Sequence, residues 1–146
     1  MSADLQGIVE AIKAAIVAIP SLGANRVGIG EYIPEMQAQT PPWVRVGLPS
    51  GFTTDDADTI GLYRRTVEVP VLVSAAGTAS SPEQQAWGVL TLVDTVISAL
   101  EADRGLGGRV IDLHVSGGPM GSVKGLPGLS VAVLSVRVYY DIDQGL

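Results

Sequence analysis

Two stretches, "LYRRTVEVPVLVS" (residues 62–74) and "LSVAVLSVRVYYDI" (129–142), repeat apolar side chains at every second position over unusually long runs. In the first, Val67, Val69, Val71 and Val73 are in phase; in the second, Ala132, Leu134, Val136, Val138 and Tyr140 are. Successive side chains of a strand point to opposite faces, so each run builds one apolar face of a sheet. Such a face has to be covered, and that requirement limits the folds open to the chain.

Helices supply the cover. Leu5, Ile8, Ile12, Ala15, Ile16 and Ile19 recur at spacings of three and four, and Pro20 and Gly23 stop the pattern. A second helix lies within "TASSPEQQAWGVLTLVDTVISALEADRGLGG" (78–108). Ser81 is placed to cap it, Pro82 suits its first position and Gln84 completes a capping box. The spacing predicts an inward stripe of Ala86, Leu90, Val93, Ile97 and Leu100, with Trp87 beside it in the core. Gly105 is expected to end the helix, just behind Arg104, a cation suited to a helix C-terminus.

Shorter strands are expected over 26–34, 43–48 and 109–115. In the second of these, Val44, Val46 and Leu48 alternate with Trp43 and Arg45. Pro70 cannot donate to a ladder and marks an edge or a bulge. Residues 50–61 and 117–128 carry turn-forming residues without period and read as long projecting loops, mobile in the free chain and ordered on assembly. The expected architecture is α+β: two amphipathic helices packed on one face of a mostly antiparallel sheet of about four or five strands, with long loops, as a single domain over residues 1–146.

Charge narrows the partners. The net charge is −6, and the nine lysines and arginines are scattered, so no basic stripe exists to grip nucleic acid. Cysteine is absent, which removes disulfides and thiolate metal sites. The opening segment lacks a basic region and carries Asp4, Glu10 and Lys13 in its apolar run, so it reads as neither secretory signal nor membrane span. The mean hydropathy is positive, +0.35, which points to apolar surface buried against other subunits.

The candidate sites are weak as chemistry. "HVSGGPMGSVKGLPG" (114–128) has the glycines and lysine of a phosphate loop, but Lys124 precedes Gly125 and a period-two run follows where a helix N-terminus is needed. His114 stands alone, without a nucleophile, an orienting partner or a second metal ligand in sequence. "DDAD" (Asp55, Asp56, Asp58) fails as a calcium loop, because Ile60 and Thr66 occupy the positions that need Gly and Glu. No cofactor, metal or catalytic residue is expected, and an enzyme is disfavoured. The cations Arg45, Arg64 and Arg65, the acids of the first loop and the loop residues Phe52, Met120 and Lys124 are candidates for subunit contacts.

The layout resembles the tail terminator proteins of long-tailed bacteriophages. The likeness spans the opening helix "LQGIVEAIKAAI", the proline-flanked "PPWVRVGLPSG", a strand pair, the helix "WGVLTLVDTVISAL" and the closing "VAVLSVRVYYDI". Related neck and tail-completion proteins share much of it. The resemblance implies a non-enzymatic self-assembled ring of six that caps the tail tube and stops its polymerisation. Its partners would be the tube protein and a head-completion or neck protein, with DNA as passing cargo and no membrane. Its place would be the virion, after assembly in the host cytoplasm. A small-ligand-binding α+β domain is the alternative from another class.

Overall fold

A computed structural model describes residues 4–30, 42–56, 62–75, 82–122 and 130–143. The elements in chain order are α1 (Leu5–Val17), a 3₁₀ turn (Ala24–Arg26), β1 (Val27–Ile29), β2 (Trp43–Val46), β3 (Ser50–Asp56), β4 (Leu62–Ala75), α2 (Pro82–Glu101), β5 (Asp112–Ser122) and β6 (Ser130–Asp143).

The six strands form one mixed sheet in the order β1-β2-β4-β6-β5, with β3 also pairing with β4. It therefore exceeds the expected four or five strands, and the β1–β2 pair is parallel while the other pairs are antiparallel. The spine is the β4–β6 ladder, in continuous register from Leu62 opposite Asp143 to Ala75 opposite Ser130. On the other margin of β4, β2 and β3 follow one another end to end.

The period-two runs face the helices as expected. Val67, Val69, Val71 and Val73 of β4 and Leu134, Val136 and Val138 of β6 are fully buried. They pack against Ile8, Ile12 and Ile16 of α1 and Val89, Val93, Val96 and Leu100 of α2 in one cluster. Asp4 caps α1 by accepting from the Gly7 N–H, which satisfies an otherwise orphaned donor.

Of the expected stripe of the second helix, Val93 and Leu100 are buried and Ile97 packs partly against the core, while the Ala86 side chain lies outside the described residues; Val89, Leu92 and Val96 also point inward, whereas Leu90 is 40% and Trp87 56% exposed. Apolar residues lie on too many sides of this helix for spacing alone to choose the buried one. The helix also ends at Glu101, before a run of turns over 102–109. Leu106 (φ 49°), Gly107 (φ 71°) and Gly108 (φ 88°) adopt left-handed backbone there. Leu106 is buried in the core, so its apolar contacts offset the backbone cost.

Both expected long loops are partly strand. Residues 50–56 pair with β4, and 117–122 continue β5 against β6; residues 57–61 and 123–128 lie outside the described residues. In β3, Ser50 faces Glu68 and Thr53 faces Thr66, so Gly51 and Phe52 together oppose Val67. Gly51 has φ 67°, the left-handed conformation that a glycine bulge of this kind requires.

Pro70 is not on an edge strand. It sits mid-β4, opposite Ser135, where pairing on the other side passes from β2 to β3. Its carbonyl accepts from Gly47 N–H at 2.7 Å, so its own donor-free nitrogen faces this junction.

Replacing Leu134 by Ala should destabilise the fold by about 2–5 kcal/mol, because it hollows the centre of the ladder. Chemical denaturation is the check; a loss below about 1 kcal/mol contradicts the assigned core.

Candidate functional site

The face of the sheet turned away from α1 and α2 carries the charged constellation of the described residues. Alternation puts Arg64, Thr66, Glu68, Pro70, Leu72 and Ser74 of β4 on this face, because their odd-numbered neighbours from Val67 to Val73 enter the core. Register then sets charges side by side. Arg64 lies opposite Asp141, with Arg64 Nε 3.2 Å from Oδ1. Glu68 lies opposite Arg137, whose Nη2 donates to Oε1 at 2.8 Å. At the other end of the face Trp43 is 1% exposed and Ser74 fully buried. Trp43 is therefore an internal anchor on the side away from the helices.

The densest cluster joins the turn after α2 to β5. Arg104 clamps Asp112 with Nε to Oδ1 at 2.8 Å and Nη2 to Oδ2 at 3.1 Å. Nη2 also lies 3.3 Å from His114 Nδ1, a hydrogen bond only while that nitrogen is unprotonated. His114 Nε2 is 3.6 Å from Asp112 Oδ2, and its ring meets Tyr139 edge-on at 5.5 Å. The hydrogen bond from Arg104 holds the Asp112 carboxyl below its ordinary range. The same bond raises Arg104, and Arg137 is raised chiefly by its hydrogen bond to Glu68. Arg104 thus serves Asp112 in place of the expected helix terminus.

The contact candidates separate into several places. Arg45 on β2 crosses Gly28 of β1 and donates Nη2 to the Ile29 carbonyl at 3.0 Å. A Cβ on Gly28 would stand 2.1 Å from Arg45 Nη1, so glycine makes room for this side chain. Arg64 is paired as above. Arg65, on the helix side, donates to Thr54 Oγ1 at 3.2 Å. Phe52 is 49% exposed on β3. The backbone places Asp55 and Asp56 opposite Arg64 and Tyr63, and Met120 opposite Ala132. Asp58 and Lys124 lie outside the described residues. Sequence reading missed Glu68, Asp112, Tyr139 and Asp141 as partners. Only strand register, which periodicity does not disclose, brings them to the cations.

This arrangement resists phosphate. Arg64, Arg104 and Arg137 each already hold a carboxylate, and a bound phosphate would have to displace it. The surface grooves lie on the helix side, away from His114. One of about 410 Å³ is lined by Leu5, Val9, Ile29, Leu48 and Pro49. Another of about 420 Å³ runs past Pro42, Trp87, Thr91 and Leu92. The lining of these two is mostly apolar, whereas a third groove of about 520 Å³, between α1 and the turn after α2, has Glu10, Asp103 and Arg109 on its walls. Among the described residues, no group of three or more His, Asp or Glu is arranged to hold a metal ion, and no helix is long and apolar enough to cross a membrane. No family model and no curated protein matches this chain.

Carbon-detected NMR titration should place the Asp112 midpoint below the ordinary value of about 3.9. The pair's contribution to stability is then present above that pH and fades as pH falls through the depressed midpoint. Arg104→Gln should move the midpoint upward. An Asp112 midpoint at or above the ordinary value, unmoved by that substitution, contradicts the clamp.

Proposed function

We propose that this chain is a structural subunit that works by self-assembly, and that its assembly is the ring of a phage tail terminator. The carrying observation is the distribution of exposed apolar side chains. Ile29, Leu48 and Phe52 lie along the β1–β2–β3 margin, and Trp87 and Leu90 lie on the outer face of α2. Ile111, just before β5, is a further exposed residue apart from both groups, and the two groups are unlike surfaces on one molecule. A surface that docks a different surface on the next copy gives a heterologous contact, and repetition of that contact closes a ring when the rotation allows. Single exposed apolar residues are ordinary, but grouped ones at a groove and on a helix stripe favour a buried interface.

The tail terminator reading adds the layout described from the sequence. The ring would sit on the last ring of the tube, block further addition and offer its opposite side to the head-completion or neck protein. DNA would pass the lumen without adhering, consistent with a net charge of −6 and with cations already held by carboxylates. Before assembly the chain would reside in the host cytoplasm and afterwards in the virion. A neck or tail-completion protein would use the same kind of surfaces and differ in its docking partner.

Light scattering coupled to size exclusion, followed by negative-stain imaging, is the test, with the chain alone and with its tail tube protein. The expected result is a closed ring with a central hole, seated on tube ends and shortening tube growth. A chain that stays monomeric in both conditions and leaves tube length unchanged contradicts the proposal.

A further inference from the structure

The geometry points to the Arg104–Asp112 clamp as a guard on the edge of the sheet: it occupies the outward backbone of β5 and keeps an extended strand of a second copy from adding there. This goes beyond the proposed function, because it says where copies are kept from joining.

β5 is the last strand in the sheet order, with β6 on one side and no described strand on the other. Alternate residues of an edge strand turn their N–H and C=O groups outward, which makes a template for an extended chain. Leu113 is one of them. Its N–H donates to Asp112 Oδ1 at 2.9 Å and so turns away from β6. Arg104 fixes the same carboxylate, Nε to Oδ1 at 2.8 Å and Nη2 to Oδ2 at 3.1 Å, and His114 Nδ1 lies 3.3 Å from Nη2. Leu113 is 0% exposed as a whole residue, although its strand lies at a margin. Beyond the clamp this cover ends, and Ser116 and Gly117 are exposed.

A second device blunts the far end. Gly117 faces Leu134 and Met120 faces Ala132, so Gly118 and Pro119 together oppose Val133. The bulge breaks the regular spacing that a docking strand would need, and Pro119 has no N–H to offer. A carboxylate cap at one end and a proline bulge at the other leave only a short run around Val115 between them. Two separate obstacles on one margin are what an edge kept from sheet extension carries.

A second copy is the strand to exclude, because this chain displays one that fits. β3 lies on the opposite margin and is exposed from Ser50 to Thr54. β3 and β6 both run antiparallel to β4, and β5 runs antiparallel to β6. Beside β5, the β3 of a copy in the same orientation would continue that alternation without a break. Unguarded, these two margins would join sheets into an open-ended array; guarded, they leave association to side-chain surfaces. The Arg104 bond, joined by the Leu113 N–H, holds the Asp112 carboxyl below its ordinary range, so the cap stays charged in mild acid.

The test compares Asp112→Ala, Arg104→Gln and, as a control, Glu68→Gln, which breaks an ion pair of β4 away from the margin. Light scattering and thioflavin fluorescence against concentration are the readouts. Asp112→Ala should associate into sheet-rich material at roughly one tenth of the wild-type concentration. Arg104→Gln should fall between the two, and the control should match wild type. Hydrogen exchange on the associated Asp112→Ala material should show Leu113, Val115 and Gly117 amides newly protected while β4 and β6 amides stay slow. That pattern marks folded copies joined at this edge. Adding Val115→Pro, which removes an outward donor, should reverse the gain. If Asp112→Ala and Arg104→Gln associate no more than wild type, the guard is overturned. Association with fast ladder amides, or with an unprotected β5 edge, overturns it as well. None of these outcomes bears on whether the wild-type chain forms a ring, so the guard and the proposed function fail separately.

Discussion

The β4–β6 ladder is the constraint on which the rest of the molecule depends. It holds the two longest strands in one register, and that register decides every residue's side. Odd-numbered valines of β4 and even-numbered residues of β6 meet the helices, and the intervening side chains meet one another outside. A slip of one residue would drive Arg64, Glu68 and Arg137 into the core. The burial of Val67, Val69, Leu134 and Val136 therefore fixes the ion pairs on the opposite face, and these contribute little to stability in return.

The consequence for function is a molecule with two differently finished sides. One face is a ladder of charges already paired with neighbours, which has little to offer a phosphate. The helix side and its margins keep apolar residues exposed, at Leu48, Phe52, Trp87 and Leu90. The His114 cluster belongs to the first kind of surface: its aspartate is clamped by Arg104, and the grooves lie elsewhere.

Much of the fold was legible, and the failures have physical causes. The alternation is clear in β4, where the four valines share one phase, and in α1, where isoleucines recur at helical spacing; in β6 Val131 and Val133 fall out of phase, and it is Ser135 and Arg137 that mark the outer face. Strand β3 has the composition of a loop, because Ser50–Asp56 is mostly serine, glycine, threonine and aspartate, and pairing to β4 through the Gly51 bulge overrides that weak propensity. In α2, apolar residues at 87, 89, 90, 92, 93 and 96 fit more than one stripe, and packing chose the side that leaves Trp87 out. The acidic partners of the arginines were invisible because they are set by strand pairing between distant segments. Of the contact candidates, Phe52 is exposed on β3, whereas Arg45, Arg64 and Arg65 each already have an internal partner.

The most direct measurement is amide hydrogen exchange on the dilute chain and on the concentrated, assembled one. The account predicts that β4 and β6 amides exchange slowest in both states, through global opening alone. Amides of α2 and β3 should gain protection only on assembly. Ladder amides that exchange as fast as the margins, or margins equally protected in both states, would contradict it.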